Sequence, residues 1–115
     1  MRVLMVKSAH ESSAPKTTQE AVARAVAVLN TITVPMGDVP GTDSGPHSAE
    51  MGLSDHTLWG VVRDHASRTV YWRSASNPSL QRLRLSDVDF GKGAPSRSLA
   101  VTSGPWYVDA AIGLR

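Results

Sequence analysis

The sequence contains no cysteine, and this absence excludes several kinds of chemistry at once. Disulfide bridges, zinc sites with thiolate ligands and catalysis by a cysteine thiolate all need a sulfur atom that these 115 residues do not supply. Cysteine usage therefore gives no indication of the cellular compartment, and we assign none.

Long apolar runs and an excess of one charge are also missing. No run approaches the roughly 20 apolar residues that cross a bilayer, and the apolar stretch Val3 to Val6 is too short for the core of a signal peptide. Twelve Lys and Arg stand against ten Asp and Glu. Arg82 and Arg84 alternate with leucine instead of forming a basic cluster, so we expect neither nucleic acid nor a membrane as a partner.

Apolar residues make up 41% of the chain, which excludes a charge-rich disordered protein and allows one modest core. The length fits a single small domain, 1–115. Such a domain buries only about two-thirds of its unfolded surface, so we expect thin stability. Proline and glycine are concentrated in a predicted long loop at 35–53, and the chain ends in an irregular tail at 96–115.

Two regular elements are predicted before this loop. Arg2 to Lys7 has the composition of a short buried strand. Thr17 and Glu20 have the spacing of a capping box, in which each side chain bonds the backbone amide of the other residue. This pattern predicts a well-covered amphipathic helix from about Thr18 to Asn30, with Thr31 to Val34 continuing in extended form.

The region after the loop carries the clearest strand signals. His56–Asp64 and Thr69–Ser74 are predicted to form an antiparallel hairpin around a polar turn at 65–68. Leu80–Leu85 is predicted as a third strand and Leu99–Thr102 as a fourth. A single helical turn is predicted between these two strands, at 86–90, with Ser86 as its cap.

These elements predict an α+β fold, an antiparallel sheet with one main helix. One helix can cover only one face of the sheet, so the other is left to water or to further chain. Aromatic residues at strand spacing, here Trp59, Tyr71 and Trp72, are typical of a core and less often of a ligand-stacking platform. The uncovered face indicates a fragment of a larger fold.

No motif in the chain predicts a catalytic, cofactor-binding or metal-binding residue. The four histidines match no metal-ligand spacing; they are His10, His47, His56 and His65. Neighbours such as Asp64 and His65 point to opposite faces of a strand, which prevents a dyad. Gly91-Lys92-Gly93 lacks the spacing and following helix of a phosphate-binding loop, so we interpret it as a turn.

Several phrases in a fixed order carry a more specific signal. The chain contains Leu29-Asn30-Thr31-Ile32-Thr33-Val34-Pro35-Met36-Gly37, then strand phrases at Thr57–Asp64 and Val70–Arg73, then Asn77-Pro78, which breaks the second strand, and Leu83–Phe90. Their order and spacing resemble the C-terminal part of the choloylglycine hydrolases. These are linear amide C–N hydrolases that include penicillin V acylases and conjugated bile salt hydrolases. The resemblance extends over Arg2 to Pro95.

The resemblance implies part of an N-terminal-nucleophile hydrolase fold, an αββα sandwich of which this chain would form one helix and sheet with an incomplete second layer. In that family an N-terminal cysteine attacks the amide, and its own α-amino group acts as base. By register Arg2 matches the second Arg of the family's S-R-F-V-R phrase, and the first Arg would precede Met1. No catalytic residue is therefore carried over, and we expect the chain to be inactive alone.

The same interpretation implies a partner: either a separately encoded N-terminal piece, or a second copy that self-associates through the apolar sheet face. The alternative is a stand-alone small α+β binding module, without catalysis, whose contact region is the loop at 35–53. A binding module should unfold cooperatively as a monomer. A fragment should expose apolar surface, self-associate and show a weak thermal transition.

Overall fold

The computed structural model describes residues 14–37, 39–40 and 54–113, and these form an α+β fold. The predicted strand Arg2–Lys7 and most of the 35–53 loop lie outside the described residues. The elements in chain order are helix α1 (Thr18–Asn30), strands β1 (Val39–Pro40), β2 (Ser54–Asp55), β3 (Trp59–Asp64), β4 (Thr69–Ser74) and β5 (Gln81–Arg84), and 3-10 turns at Leu85–Asp87 and Ala110–Gly113.

Helix α1 has the predicted bounds, and its N-terminus is capped as predicted on one side only. The Thr17 hydroxyl accepts a hydrogen bond from the Glu20 amide at 3.1 Å. The Glu20 carboxylate, however, accepts from the Lys16 amide at 2.9 Å and from Arg24. The bond that Glu20 returns in the predicted capping box is therefore made with the amide of Lys16 and not with that of Thr17.

The helix ends in a turn, which corrects the predicted extended run from Thr31 to Val34. The Thr31 amide donates to the Val28 carbonyl at 3.0 Å, and the Ile32 amide to Leu29 at 3.2 Å. The Thr31 hydroxyl also donates to Val28, at 2.7 Å. These local bonds keep the first two residues of the run near helical geometry.

Strand β4 lies at the centre of a three-stranded antiparallel sheet of order β3-β4-β5. The predicted hairpin and its turn at 65–68 are confirmed, although β3 begins at Trp59 and not at His56. Strand β5 is shorter by one residue at each end than the predicted Leu80–Leu85. Separately, β1 pairs with β2 in antiparallel register, Val39 with Asp55, so the ends of the predicted loop are joined.

Two predictions in the C-terminal third are wrong. Leu99–Thr102 forms no strand; instead the Ser103 amide and hydroxyl both donate to the Ala100 carbonyl and close a turn. The helical turn begins at Leu85, one residue early, after an Arg84 that makes no side-chain cap bond. The Ser86 hydroxyl lies inside this turn, where it donates to Asp87 at 3.3 Å.

Helix α1 packs directly on β3. The Leu29 side chain lies over Gly60, where a Cβ atom would be in ordinary van der Waals contact at 3.5 Å from Leu29 Cδ1. Val22, at 7% exposure, is nevertheless the one buried apolar side chain among the described residues. The predicted well-covered helix is therefore only partly covered in the described part of the chain.

Asp64 closes the turn between β3 and β4. Its carboxylate accepts hydrogen bonds from the Ser67 hydroxyl at 2.6 Å and from the backbone amides of Ser67 and Ala66 at 3.3 and 3.0 Å. These bonds, with that from the Ser67 hydroxyl as the largest contribution, lower the pKa of Asp64 below its ordinary value.

We expect Asp64→Asn to lower the thermal unfolding midpoint at neutral pH. Because the pKa is lowered in the folded state, the carboxylate stabilises the fold above the ordinary Asp pKa of about 4 and loses this effect as pH falls through the folded-state pKa. The difference between wild type and variant should be largest near about pH 7 and vanish near about pH 2. Ser67→Ala should weaken this pH dependence. An equal difference at both pH values would contradict the assignment.

Candidate functional site

Among the described residues, those singled out in the sequence do not come together in a catalytic or metal site. His10, His47 and Arg2 lie outside the described residues. No group of three or more metal-ligating side chains occurs in the ranges 14–37, 39–40 and 54–113. The oxygens of Asp64 are occupied by the hairpin turn, and its neighbour His65 is exposed.

The Gly91-Lys92-Gly93 stretch is a turn, as predicted. The Ala94 amide donates to the Gly91 carbonyl at 3.0 Å, and no helix follows within the described residues before Ala110. The backbone amides of this turn are therefore not arranged around the N-terminus of a helix, the geometry that binds phosphate.

The most prominent surface feature is one face of the sheet, which we call the open face. It follows from the strand register, in which Val61 lies opposite Trp72 and Val70 opposite Leu83, because paired residues point to the same side. The open face carries the apolar side chains of Trp59, Val61, Val70, Trp72 and Leu83, together with the polar residues Arg63, Ser74 and Gln81. The opposite face carries Gly60 and contacts α1.

Exposure along β3 shows which face is uncovered. Trp59, Val61 and Arg63 are exposed, whereas the alternate residues are half-buried beneath α1. Trp59 is 55% exposed, and Val61 and Leu83 are each 38% exposed. Neighbouring apolar side chains thus remain in contact with water, the property that marks interaction surfaces.

The three aromatic residues do not form the predicted core, since Trp59 is exposed and Tyr71 and Trp72 are half-buried. They also do not share a face, since Tyr71 pairs with Val62 on the helix side while the two tryptophans lie on the open face. Adjacent residues of a strand point in opposite directions, so Tyr71 and Trp72 could not have formed one platform.

A C-terminal segment, residues 101–106, crosses one end of the open face. The Trp72 indole donates to the Val101 carbonyl at 3.1 Å, and the Gln81 side-chain amide donates to the Pro105 carbonyl at 3.1 Å. The Ser79 hydroxyl donates to Trp106 at 2.5 Å. Side chains of the sheet and of the connection between β4 and β5 thus fix this segment through hydrogen bonds to its backbone carbonyls.

Asn77 provides the most buried of these attachments, and the sequence pattern does not predict this role for it. It is 2% exposed, and its side-chain amide donates to the carbonyls of Ser103 and Gly104 at 3.2 Å each. A partial signal existed in the sequence: Asn77-Pro78 ends a strand, and Gly104-Pro105 favours a turn that exposes carbonyls.

The open face is suited to packing. Its apolar side chains lie beside one exposed arginine, Arg63, and the side chains of Trp72 and Gln81 donate hydrogen bonds to the C-terminal segment. Apolar sheet faces of this type pack on a second sheet at about 10 Å, with their side chains interdigitating.

In the described parts of the chain, no helix has the length and apolar character needed to cross a membrane. No family model, curated protein or solved structure matches the chain.

Proposed function

We propose that this chain is the C-terminal helix-and-sheet layer of a linear amide C–N hydrolase of the choloylglycine hydrolase type. The open face is the observation that carries the proposal. In a sandwich of two sheets between helices, each sheet has a helix on its outer side and an apolar inner face that packs on the other sheet. In this chain, helix α1 lies on one face of the three-stranded sheet, and the open face is the other face.

The phrases that resemble the family lie in one packed unit, which supports the proposal. Leu29–Gly37 spans the end of α1 and the turn that follows it. Thr57–Asp64 and Val70–Arg73 contain the paired strands β3 and β4, and Leu83–Phe90 runs from β5 into the 3-10 turn. Their spacing in the sequence therefore corresponds to a compact arrangement around β4.

The proposed reaction needs groups that this chain does not contain. A cysteine thiol would pass its proton to its own α-amino group and attack the amide carbonyl, and that proton would then move to the nitrogen as the C–N bond breaks and the amine leaves. Water would hydrolyse the resulting acyl-enzyme, which releases the acid and regenerates the thiol. With no cysteine among 115 residues, the purified chain should not hydrolyse penicillin V or a conjugated bile salt. Hydrolysis of either compound by the chain alone would contradict this mechanism.

The positive test is complementation. The coding DNA upstream of Met1 should encode a piece that begins with cysteine, carries the family's two asparagines and ends within the S-R-F-V-R phrase. Co-expressed with this chain, that piece should co-purify and hydrolyse a linear amide. The absence of such a reading frame would contradict the proposal.

The role of the open face is tested in the same complex. Val61→Lys places an unpaired charge where the second sheet should pack, at a cost of several kcal/mol. Since 1.4 kcal/mol corresponds to a factor of ten, we expect at least about a tenfold loss of association. Val108→Lys is the matched control, because Val108 is 88% exposed and lies outside the open face. Equal association of both variants would show that the face is not the interface.

A further inference from the structure

A cavity of about 390 Å³ lies beside the end of α1, where β3 begins and β4 ends. We call it the Arg73 cavity. Its volume falls within the range of about 300–1,000 Å³ that is usual for small-molecule sites. Its lining includes Asn30, Thr33, Met36, Trp59, Arg73 and Pro78.

The Arg73 guanidinium is positioned in this cavity by neutral acceptors. One terminal nitrogen donates to the Asn30 side-chain carbonyl and lies 3.5 Å from the Thr33 hydroxyl. That hydroxyl is itself fixed, because it donates to the Leu29 carbonyl at 2.8 Å. The end of α1 therefore orients the arginine without neutralising its charge.

Much of the hydrogen-bonding capacity of Arg73 is left for a ligand. A guanidinium has five N–H donors, and within the described residues only one of its three nitrogens donates. The described residues contain an ion pair between Arg24 and Glu20 but none at Arg73. A half-buried guanidinium that has no ion pair within residues 14–37, 39–40 and 54–113 favours a carboxylate that can accept two parallel hydrogen bonds.

The remaining lining determines the rest of the ligand. Val34, Pro35, Met36 and Pro78 add an apolar wall to the lining of the cavity. We propose that the Arg73 cavity binds a small organic acid, with its carboxylate on Arg73 and an apolar body along this wall. The proposal does not depend on the hydrolase assignment, since it concerns binding by the chain alone.

The test is a titration of the full chain with 3-phenylpropionate, followed by NMR at the side-chain Nε–Hε group of Arg73. We expect saturable binding that shifts this signal. The neutral isostere 3-phenylpropionamide should bind at least about tenfold more weakly, because it lacks the charge-assisted bonds, which are worth about 1.5–3 kcal/mol. Acetate, which has the carboxylate without the apolar body, should also bind more weakly.

Variants then assign the interaction to Arg73. Arg73→Gln should weaken binding of 3-phenylpropionate at least about tenfold, and Arg73→Lys should give an intermediate affinity because it keeps the charge but not the planar pair of donors. Arg82→Gln is the matched control, since Arg82 is an exposed arginine on the same sheet face and outside the cavity. Its affinity should equal that of the wild type.

A second variant keeps the test valid if Arg73→Gln does not fold. Met36 lines the apolar wall and is 64% exposed, so Met36→Ala should fold normally and weaken binding several-fold. The proposal is overturned if 3-phenylpropionate does not bind saturably, if the amide binds equally well, or if Arg73→Gln folds and binds like the wild type. None of these results affects the complementation test of the hydrolase assignment.

Discussion

Replacing Asn77 with alanine should lower the free energy of unfolding by about 2–4 kcal/mol and release the C-terminal segment from the sheet. The Asn77 side chain donates to two carbonyls of that segment and accepts from the Ser79 amide, all at 3.2 Å. The residue is 2% exposed, so water cannot readily replace these bonds. Each buried polar group left without a partner costs about 1–3 kcal/mol.

Urea unfolding measures the change in stability, and chymotrypsin cleavage near Trp106 reports release of the segment. Asn77→Asp should be at least as damaging, because it directs a carboxylate oxygen at the carbonyls of Ser103 and Gly104. Ser76→Ala is the control; Ser76 is exposed, and its loss should change stability by no more than about 0.5 kcal/mol. If Asn77→Ala has the same free energy of unfolding as Ser76→Ala and is cleaved at the same rate, the attachment through Asn77 is refuted.

The second large effect is expected at Gly104, which meets two separate constraints. Its φ angle is +96°, a conformation that glycine adopts without the steric cost of a side chain. A Cβ atom there would also lie 2.3 Å from the Gln81 side-chain oxygen. Gly104→Ala must therefore displace Gln81 and break its bonds to Pro105 and Ser79, at 3.1 and 3.3 Å. We expect a loss of about 2–4 kcal/mol.

Gly93→Ala separates the two causes. Gly93 has a φ angle of +89°, but nothing lies within 4 Å of its missing Cβ atom. This variant should lose only the conformational part, about 1–2 kcal/mol. In a Gln81→Ala background, the excess loss at Gly104 should largely disappear, which a double-mutant cycle by urea unfolding measures. Equal losses for Gly104→Ala and Gly93→Ala would exclude the contact with Gln81.

Local signals made α1 and the hairpin predictable. The Thr17 cap and the apolar stripe define the helix within a few residues, and the polar stretch at 65–68 separates two β-branched runs. The α+β class follows from these elements alone. The choice between an amide hydrolase fragment and another protein with the same class does not follow from them, and the hydrolase assignment remains a proposal.

What could not be predicted depends on pairs of residues that are distant in the chain. Asn77 and Ser103 are separated by 26 residues, and a bond from a side chain to a backbone carbonyl leaves no periodic pattern in the sequence. The same holds for Arg73 and Asn30, which are 43 residues apart. The fourth strand was predicted from the composition at 99–102, but the carbonyl of Val101 bonds the Trp72 indole and not a neighbouring strand.

The attachment of the C-terminal segment has a consequence for how its sequence can vary. Every bond from the sheet to this segment ends on a main-chain oxygen, those of Val101, Ser103, Gly104, Pro105 and Trp106. Main-chain oxygens are present whatever the side chain is. Apart from Gly104, the side chains of this segment can therefore change without loss of these hydrogen bonds. Among homologues, we expect the residues that donate these bonds to vary less than the residues of the segment that accept them.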